Sequence, residues 1–184
     1  MRGGVALRAV GLGAAEPCVE GLGDTLARSV FRGFALNPVD PKGRVAIPLA
    51  FRKQIEASIG RPSVIVSPHP TLPCLTLYDE AWAEEMFARI DRHHEAQASA
   101  GQAIDDDLTR TLAANAEDAA YDASGRFILT PFFRSTAGIT DLAFFAGNAS
   151  TFEIWNPETL IACDGVNART RETCRWHLEN RGAK

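Results

Sequence analysis

The sequence predicts an α+β protein in which one small β-rich unit occurs twice, with helices around the duplicated part. Two observations support this fold class. Short apolar runs separated by Gly, Pro and Asp are typical of strands and turns. The same order of predicted elements also follows Asp40 and, at a constant offset, Asp122. With 184 residues, of which 46% are hydrophobic and 23% charged, the chain has the composition of an ordinary globular protein.

The first copy is organised around a turn. A predicted strand ends near Val39, and Asp40-Pro41-Lys42-Gly43 then fits a type I turn, because Asp bonds the backbone, Pro presets φ at the second position and Gly takes the fourth. Arg44 follows the turn directly. The remaining predicted elements are a strand over 45–47, a helix over 48–58 with Gly60 as its stop, and strands over 64–66 and 75–78.

The second copy repeats this order. Asp122-Ala123-Ser124-Gly125-Arg126 stands where the first copy has Asp40-Pro41-Lys42-Gly43-Arg44, and Phe133-Arg134 stands where it has Phe51-Arg52. The predicted elements are a strand over 127–129, a helix with Thr130 as N-cap, Pro131 as first residue and Gly138 as stop, and strands over 142–146 and 152–155. Because a whole series of elements recurs, the sequence indicates an internal duplication.

Helices are predicted around the two copies. Asp79 is the predicted N-cap of a helix whose apolar residues recur at helical spacing, which favours packing on the core. A second helix over 105–114 has three Asp residues at its amino end, where negative charge interacts favourably with the helix dipole. Asn156-Pro157 opens another helix. The basic stretch 161–184 is predicted to be helical, and it either packs on a neighbouring subunit or forms a tail.

The predicted organisation has five segments. They are a disordered N-terminal extension (1–29), a first unit (30–81), a helical connector (82–116), a second unit (117–161) and a C-terminal helix or tail (162–184). An export signal is disfavoured, because Arg8, Gly11 and Gly13 interrupt the apolar run over 5–15. A third interpretation of the extension is that translation starts at Val30, which a GTG start codon would encode.

Charge and cysteine spacing limit the possible functions. The net charge is −4, yet basic residues dominate between 31 and 61, while acidic residues gather between 79 and 118. A protein with such a distribution can bind phosphate locally. Four widely spaced cysteines indicate reduced thiols, and His93-His94-Glu95 diverge on a helix, so we expect neither a metal nor a cofactor. No apolar run is long enough to span a membrane.

Phe31-Arg32-Gly33, followed by the two Asp-x-x-Gly-Arg motifs at 40–44 and 122–126, resembles the MraZ family of bacterial transcriptional regulators over about residues 30–160. The resemblance implies two SpoVT/AbrB-like half-units interlocked as a swapped-hairpin β-barrel. It also implies a cytoplasmic, nucleoid-associated homo-oligomer, expected to be a ring. Such proteins bind double-stranded DNA at repeated promoter sites ahead of the division and cell-wall gene cluster and act there as repressors, including at their own promoter.

The two motifs supply the candidate site residues. Arg can contact guanine or phosphate with two hydrogen bonds, and Lys can make a point contact with the DNA backbone. The candidate DNA-binding residues are Arg44, Arg126, Lys42 and, with its role undecided, Arg32, whereas Asp40, Gly43, Asp122 and Gly125 are expected to brace the turns. For Arg44 and Arg126 the alternative is an intrachain salt bridge to the same Asp residues.

Some features leave alternatives open. Arg52 and Arg134 either support DNA binding or pair with acidic residues at a subunit contact. The second turn has Ala123-Ser124 in place of Pro41-Lys42, so its phosphate contacts are expected to be weaker. Thr130 departs from the aliphatic or proline-type residue that is usual in the family, which the N-cap interpretation makes harmless.

Three other functions compete with DNA regulation. An antitoxin-type DNA binder usually has one copy of the unit and a tail, unlike this chain. A protein-interaction scaffold would use an oligomer to bind protein. An enzyme is disfavoured, because the sequence has no Ser/His/Asp or Cys/His set and no glycine-rich phosphate loop.

Overall fold

The structure is a computed structural model that describes residues 30–103 and 107–181. The predictions for the extension 1–29 and for Asp105 and Asp106 lie outside the described residues. The strands are β1 (Phe34–Pro38), β2 (Arg44–Ala46), β3 (Ser63–Pro68), β4 (Leu75–Tyr78), β5 (Glu117–Ala120), β6 (Arg126–Ile128), β7 (Leu142–Asn148) and β8 (Thr151–Trp155). The helices are α1 (Leu49–Ile59), α2 (Glu80–Ser99), α3 (Asp107–Ala114), α4 (Pro131–Thr136), α5 (Pro157–Ala162) and α6 (Ala168–Glu179).

The strands of the two copies pair with each other. The six-stranded sheet has the order β1-β7-β8-β4-β3-β5, and all its pairings are antiparallel. β1 of the first copy pairs with β7 of the second, and β5 of the second copy pairs reciprocally with β3 of the first. β4 and β8 join the two halves in the middle. Exchange of the copies therefore leaves the strand order of the sheet unchanged, and neither copy has a sheet of its own.

The remaining strands, β2 and β6, form a separate two-stranded ribbon. Among the described residues we find no closed barrel, because β1 and β5 end the larger sheet without pairing to each other. The prediction of an α+β fold is confirmed, with an antiparallel sheet and several helices. The swapped-hairpin β-barrel stays a prediction.

The main core lies between the sheet, the ribbon and the first helix of each copy. Its centre is aromatic: the rings of Phe31, Phe51 and Phe152 have centroid distances of 4.9–5.6 Å. Phe51 and Phe133, the equivalent residues of α1 and α4, are both buried. Burial of these large side chains is the main source of stability, since each contributes about 1.5–3 kcal/mol relative to an exposed position.

Helix ends follow several of the predicted signals. The Asp79 side chain accepts a hydrogen bond of 2.8 Å from the Trp82 N–H, and the Asn156 side chain accepts one of the same length from the Glu158 N–H. Thr130 caps α4, and Gly60 ends α1 with a φ of 68°. α2 packs on the core only in part. Ala83 is buried and Trp82 lies against Tyr78, whereas the apolar residues farther along the helix, Met86, Phe87 and Ile90, are half-buried. Within the described chain, no helix is both long and apolar enough to cross a bilayer.

The structure adds one strand that was not predicted and places the helices of the C-terminal part. β5 was not predicted, because Glu117-Asp118-Ala119-Ala120 has no β-branched or aromatic residue; its pairing with β3 makes it a strand. In the C-terminal part, α5 begins after Asn156 as predicted, and Asn167 caps a separate helix, α6, within the stretch that was predicted to be helical. α6 packs on its own chain through Cys174, which is fully buried in a second, smaller core with Phe144 and Trp155.

Candidate nucleic-acid interface

The turn of the first copy is held by one carboxylate. Oδ1 of Asp40 accepts hydrogen bonds of 2.9 Å from the backbone N–H groups of Lys42 and Arg44. Oδ2 accepts a hydrogen bond of 2.6 Å from Nε of Arg44. The Gly43 N–H donates to the Asp40 carbonyl at 2.8 Å, which closes the turn. Asp40 thus fixes both the backbone of the turn and the direction in which the Arg44 side chain leaves it.

The turn of the second copy has the same contacts. Asp122 accepts from the N–H groups of Ser124 and Arg126 at 2.9 and 3.0 Å, and from Nε of Arg126 at 2.9 Å. Nη2 of Arg126 also lies 2.9 Å from Asp122 Oδ2. The replacement of Pro41-Lys42 by Ala123-Ser124 therefore leaves the geometry of the turn intact and changes only its outer surface.

The pKa values of the two carboxyls reflect these contacts. The pKa of Asp40 lies below its ordinary value of 3.8, chiefly because the Arg44 backbone N–H donates to it; desolvation opposes this effect and the Arg44 side chain adds to it. The pKa of Asp122 is lowered too, first by the backbone N–H of Arg126 and then by its side chain. Both Asp residues are thus ionised at neutral pH.

The intrachain ion pair, considered as an alternative to DNA contact, is present at both turns. It leaves 43% of the Arg44 side chain and 49% of the Arg126 side chain exposed. In the part of the chain that the structure describes, Nη1 and Nη2 of Arg44 have no hydrogen-bond partner. A pair of this kind orients the guanidinium and does not consume all five of its donors, so it is compatible with a second contact to an anion or a base.

The ribbon brings the two Arg residues onto one surface. Arg44 pairs with Ile128, Val45 with Phe127, and Ala46 with Arg126. Val45 and Phe127 are buried beneath the ribbon, so the residues on either side of them point outward. We call the surface formed by Arg44, Ala46, Arg126 and Ile128 the outer face of the ribbon.

Each turn is seated on the other copy. The Gly43 carbonyl accepts a hydrogen bond of 2.9 Å from the Leu129 N–H, and the Gly125 carbonyl accepts one of 2.8 Å from the Ile47 N–H. Both glycines have positive φ values, 79° and 78°. A Cβ at Gly43 would lie 2.7 Å from the Leu129 carbonyl oxygen. The turns therefore require glycine for backbone conformation, and the first requires it for space as well.

Sequence reasoning missed where Arg52 and Arg134 lie. Arg52, on α1, lies against Gly125 of the opposite turn, and its Nη1 is 3.4 Å from the Ala123 carbonyl oxygen. Arg134, on α4, lies beside Gly43 and donates to the Thr140 carbonyl at 3.1 Å. The recurring Phe-Arg pair was the signal in the sequence, but it could not show that each Arg lies under the turn of the other copy.

The other two candidates occupy different places. Lys42 is exposed and lines a groove of about 510 Å³ together with Pro41, Ile128 and Arg134. Arg32 is exposed too, but it lines a separate groove of about 290 Å³ with Ala50 and Gln54 of α1. Lys42 therefore lies beside the outer face, whereas Arg32 lines a groove that includes no residue of either turn.

Among the described residues, metal ligands do not cluster into a second site. Over residues 30–103 and 107–181, no three His, Cys, Asp or Glu side chains come together as a metal site. Cys74, Cys163 and Cys174 are free thiols, and burial raises the pKa of Cys174 to about 11.

Known proteins resemble the chain over most of its length. No protein-family model matches it. The protein named "Transcriptional regulator MraZ" from Gluconobacter oxydans (strain 621H) is 36% identical over 132 residues, which cover 71% of this chain and 77% of that protein. The protein of the same name from Gluconacetobacter diazotrophicus is 35% identical over 131 residues, covering 70% and 80%. The one from Salmonella paratyphi B is 30% identical over 131 residues, covering 71% and 82%. These relatives confirm the resemblance seen in the two turn motifs, and the chain belongs to the MraZ family of transcriptional regulators.

Proposed function

We propose that the chain binds double-stranded DNA through the outer face of the ribbon and represses transcription from repeated promoter sites. These include its own promoter and the division and cell-wall gene cluster. The observation that carries the proposal is the placement of Arg44 and Arg126, which come from different copies and lie on one exposed face of one ribbon. Asp40 and Asp122 orient these side chains from the base of each turn.

The geometry of the ribbon suits the major groove. That groove is about 12 Å wide and admits a two-stranded β-ribbon. An Arg side chain at its floor can donate two hydrogen bonds to O6 and N7 of guanine, which is the commonest specific contact. Lys42, at the edge of the same surface, suits a phosphate contact that fixes register without specifying sequence. Asp40 and Asp122 remain on the protein side, because a free carboxylate would repel phosphate.

Repeated sites follow from the strength of such contacts. One good base contact contributes only about 1–3 kcal/mol of discrimination, so several protomers must bind together for high affinity. We propose a homo-oligomer, of ring form, that acts in the cytoplasm in association with the nucleoid. Leu49 and Phe132 support an interface between protomers of such an oligomer. These large apolar side chains are 58% and 50% exposed at the starts of the equivalent helices α1 and α4.

The reciprocal strand pairing supports the proposed origin of this architecture. β1 pairs with β7 and β5 pairs with β3, so each copy contributes a strand to the half-sheet of the other. We propose that residues 30–81 and 117–161 are two SpoVT/AbrB-like units joined as swapped hairpins. Residues 82–116 are then the helical connector, and residues 162–184 are the C-terminal helix or tail.

The first experiment measures binding to the DNA upstream of the gene. Fluorescence anisotropy is recorded for the wild type, Arg44→Ala, Arg126→Ala and the control Arg169→Ala. Arg169 on α6 is also exposed and ion-paired, with Glu172, so its loss removes the same charge away from the ribbon. We expect Arg44→Ala and Arg126→Ala each to weaken binding by roughly tenfold or more, and Arg169→Ala to change it little. The wild-type affinity should fall steeply with salt.

Repression is tested with a reporter gene behind the same promoter. Expression should rise when Arg44→Ala replaces the wild type. If the wild type does not bind duplex DNA at low salt, the DNA-binding proposal is wrong, and the protein-interaction scaffold becomes the better interpretation of the duplicated fold.

A further inference from the structure

Ile128 occupies an unexpected place on the outer face. It is 59% exposed, although it is a large β-branched apolar residue, and it lies at one end of the short ribbon, where it pairs with Arg44. Its neighbours along the strand, Phe127 and Leu129, are buried and pack into the core. Packing therefore accounts for those two residues and does not account for Ile128.

The two ends of the outer face differ only in their apolar residue. Ile128 lies directly opposite Arg44, and Ala46 lies directly opposite Arg126. Since exchange of the copies places Arg44 on Arg126 and Ala46 on Ile128, the ribbon is symmetric in its cations and asymmetric in its apolar side chains. One end thus offers a guanidinium beside a large apolar surface, and the other end offers a guanidinium beside a single methyl group.

We propose that Ile128 is a specificity-determining residue that contacts the 5-methyl group of a thymine next to the guanine contacted by Arg44. The proposal rests on the function proposed above and extends it from phosphate and guanine to a second base. The thymine methyl is the apolar group that the major groove presents, and apolar side chains are its usual partners. Arg44 on the same face and Lys42 in the same groove as Ile128 supply the positive charge that favours DNA over an uncharged partner.

The spacing of the side chains sets where this thymine lies. Residues directly opposite on an antiparallel ribbon have Cβ atoms about 4.5–5.5 Å apart. Base pairs in B-DNA are stacked about 3.4 Å apart along each strand. The thymine is therefore within about two base pairs of the guanine. Ala46 extends less far from the ribbon than Ile128, so we expect the stronger dependence on a thymine methyl at the Arg44 end.

The test removes the methyl group and nothing else. A duplex that contains one binding site is prepared with each thymine replaced in turn by deoxyuridine, which keeps the hydrogen-bonding groups of the base. Binding is measured for the wild type and for Ile128→Ala, with Lys53→Ala as the control, since Lys53 is an exposed cation of α1 and not a residue of the ribbon. For the wild type, one replacement near the guanine should weaken binding by roughly threefold to tenfold, the effect expected for one buried methyl group.

Ile128→Ala should bind the unmodified duplex with the same reduced affinity and should lose no further affinity on deoxyuridine replacement. Lys53→Ala should retain the wild-type dependence. In size-exclusion chromatography, Ile128→Ala should also have the oligomeric mass of the wild type, because the proposal gives Ile128 no role in contacts between protomers.

Three results would overturn the inference. The first is tight wild-type binding that no deoxyuridine replacement weakens. The second is an Ile128→Ala variant that retains the full deoxyuridine penalty. The third is a changed oligomeric mass of Ile128→Ala, which would place Ile128 at an interface between protomers. Absence of any wild-type binding is a distinct result: it refutes the proposed function, and the inference falls with it.

Discussion

Arg52 of the first copy lies directly beneath Gly125 of the second, so close that a Cβ at position 125 would be 2.8 Å from Cζ of Arg52. Arg134 stands in the same relation to Gly43, where a Cβ would be 3.4 Å from Cδ of Arg134. Each turn that presents a candidate DNA-binding Arg is therefore supported by a helix of the other copy. A substitution in α1 or α4 should therefore first disturb the turn of the other copy.

A double-mutant cycle tests this support. If Arg52 positions the second turn, Arg52→Ala should weaken DNA binding by roughly threefold to tenfold in the wild type and much less in the Arg126→Ala background. In the Arg44→Ala background the full effect should remain, because Arg44 lies on the other turn. Dissociation constants of the single and double variants, measured at one salt concentration, give both coupling energies.

Equal losses in both backgrounds would mean that Arg52 acts as an independent charge toward DNA rather than through the second turn. Arg52→Lys serves as the control, because it retains the charge and loses the planar group that lies against Gly125.

Alanine substitutions at three glycines with positive φ distinguish the cost of the backbone conformation from the cost of a steric clash at the added Cβ. Gly60→Ala should cost about 1–2 kcal/mol of unfolding free energy, the usual cost of a left-handed conformation for alanine, since a Cβ there meets no atom within 4 Å. Gly43→Ala should cost at least about 1 kcal/mol more, because its Cβ would approach a backbone oxygen that cannot move alone. Gly125→Ala should fall between them, because the Arg52 side chain can rotate away.

Urea denaturation of the three variants measures these costs. A Gly43→Ala variant no less stable than Gly60→Ala would show that the Leu129 carbonyl yields easily, and that the contact between the copies at this turn is loose.

Local signals predicted most of the elements. The turn at 40–43, the caps Asp79 and Thr130 and the glycine stop at Gly60 depend on neighbours within a few residues, so their residue types are sufficient to place them. The recurrence of Asp-x-x-Gly-Arg also placed the two candidate Arg residues at the same position of two equivalent turns.

The pairing between copies was beyond such signals. β5 has no strand-forming residues and is a strand because β3 lies beside it, and the contact of Arg52 with Gly125 joins two segments far apart in the chain. The exposed position of Ile128 was missed for the same reason, since the run Phe127-Ile128-Leu129 looks uniformly apolar until the ribbon separates its two faces. A duplication shows what each copy contains and leaves open how the copies share their strands.

The lowered pKa values of the turn carboxyls give a prediction for acid. Because the folded-state pKa of Asp40 lies below 3.8, its ionised form stabilises the fold fully above that value, and this contribution is lost as the pH falls through the folded pKa. In Arg44→Ala the pKa of Asp40 should rise but stay below 3.8, because the largest cause is a backbone N–H that the substitution keeps. NMR titration of the carboxyl carbons measures both Asp residues in one sample.

Asp122 is the internal control in that titration, because the Arg44→Ala substitution leaves both hydrogen bonds from Arg126 to Asp122 in place. A pKa of Asp40 at or above 3.8 in the variant would show that the guanidinium, not the backbone, holds the carboxylate ionised.

Phe127 and Ile128 are adjacent, and the ribbon gives them opposite roles. Phe127 is 1% exposed and lies in the main core beneath the ribbon, so Phe127→Ala should destabilise the protein by about 3–5 kcal/mol. Ile128→Ala removes a side chain that faces outward and should change the unfolding free energy by no more than about 0.5 kcal/mol. Thermal or urea unfolding of the two variants distinguishes these roles. A large destabilisation by Ile128→Ala would mean that the outer face is covered in the folded protein, and such a face could not contact DNA.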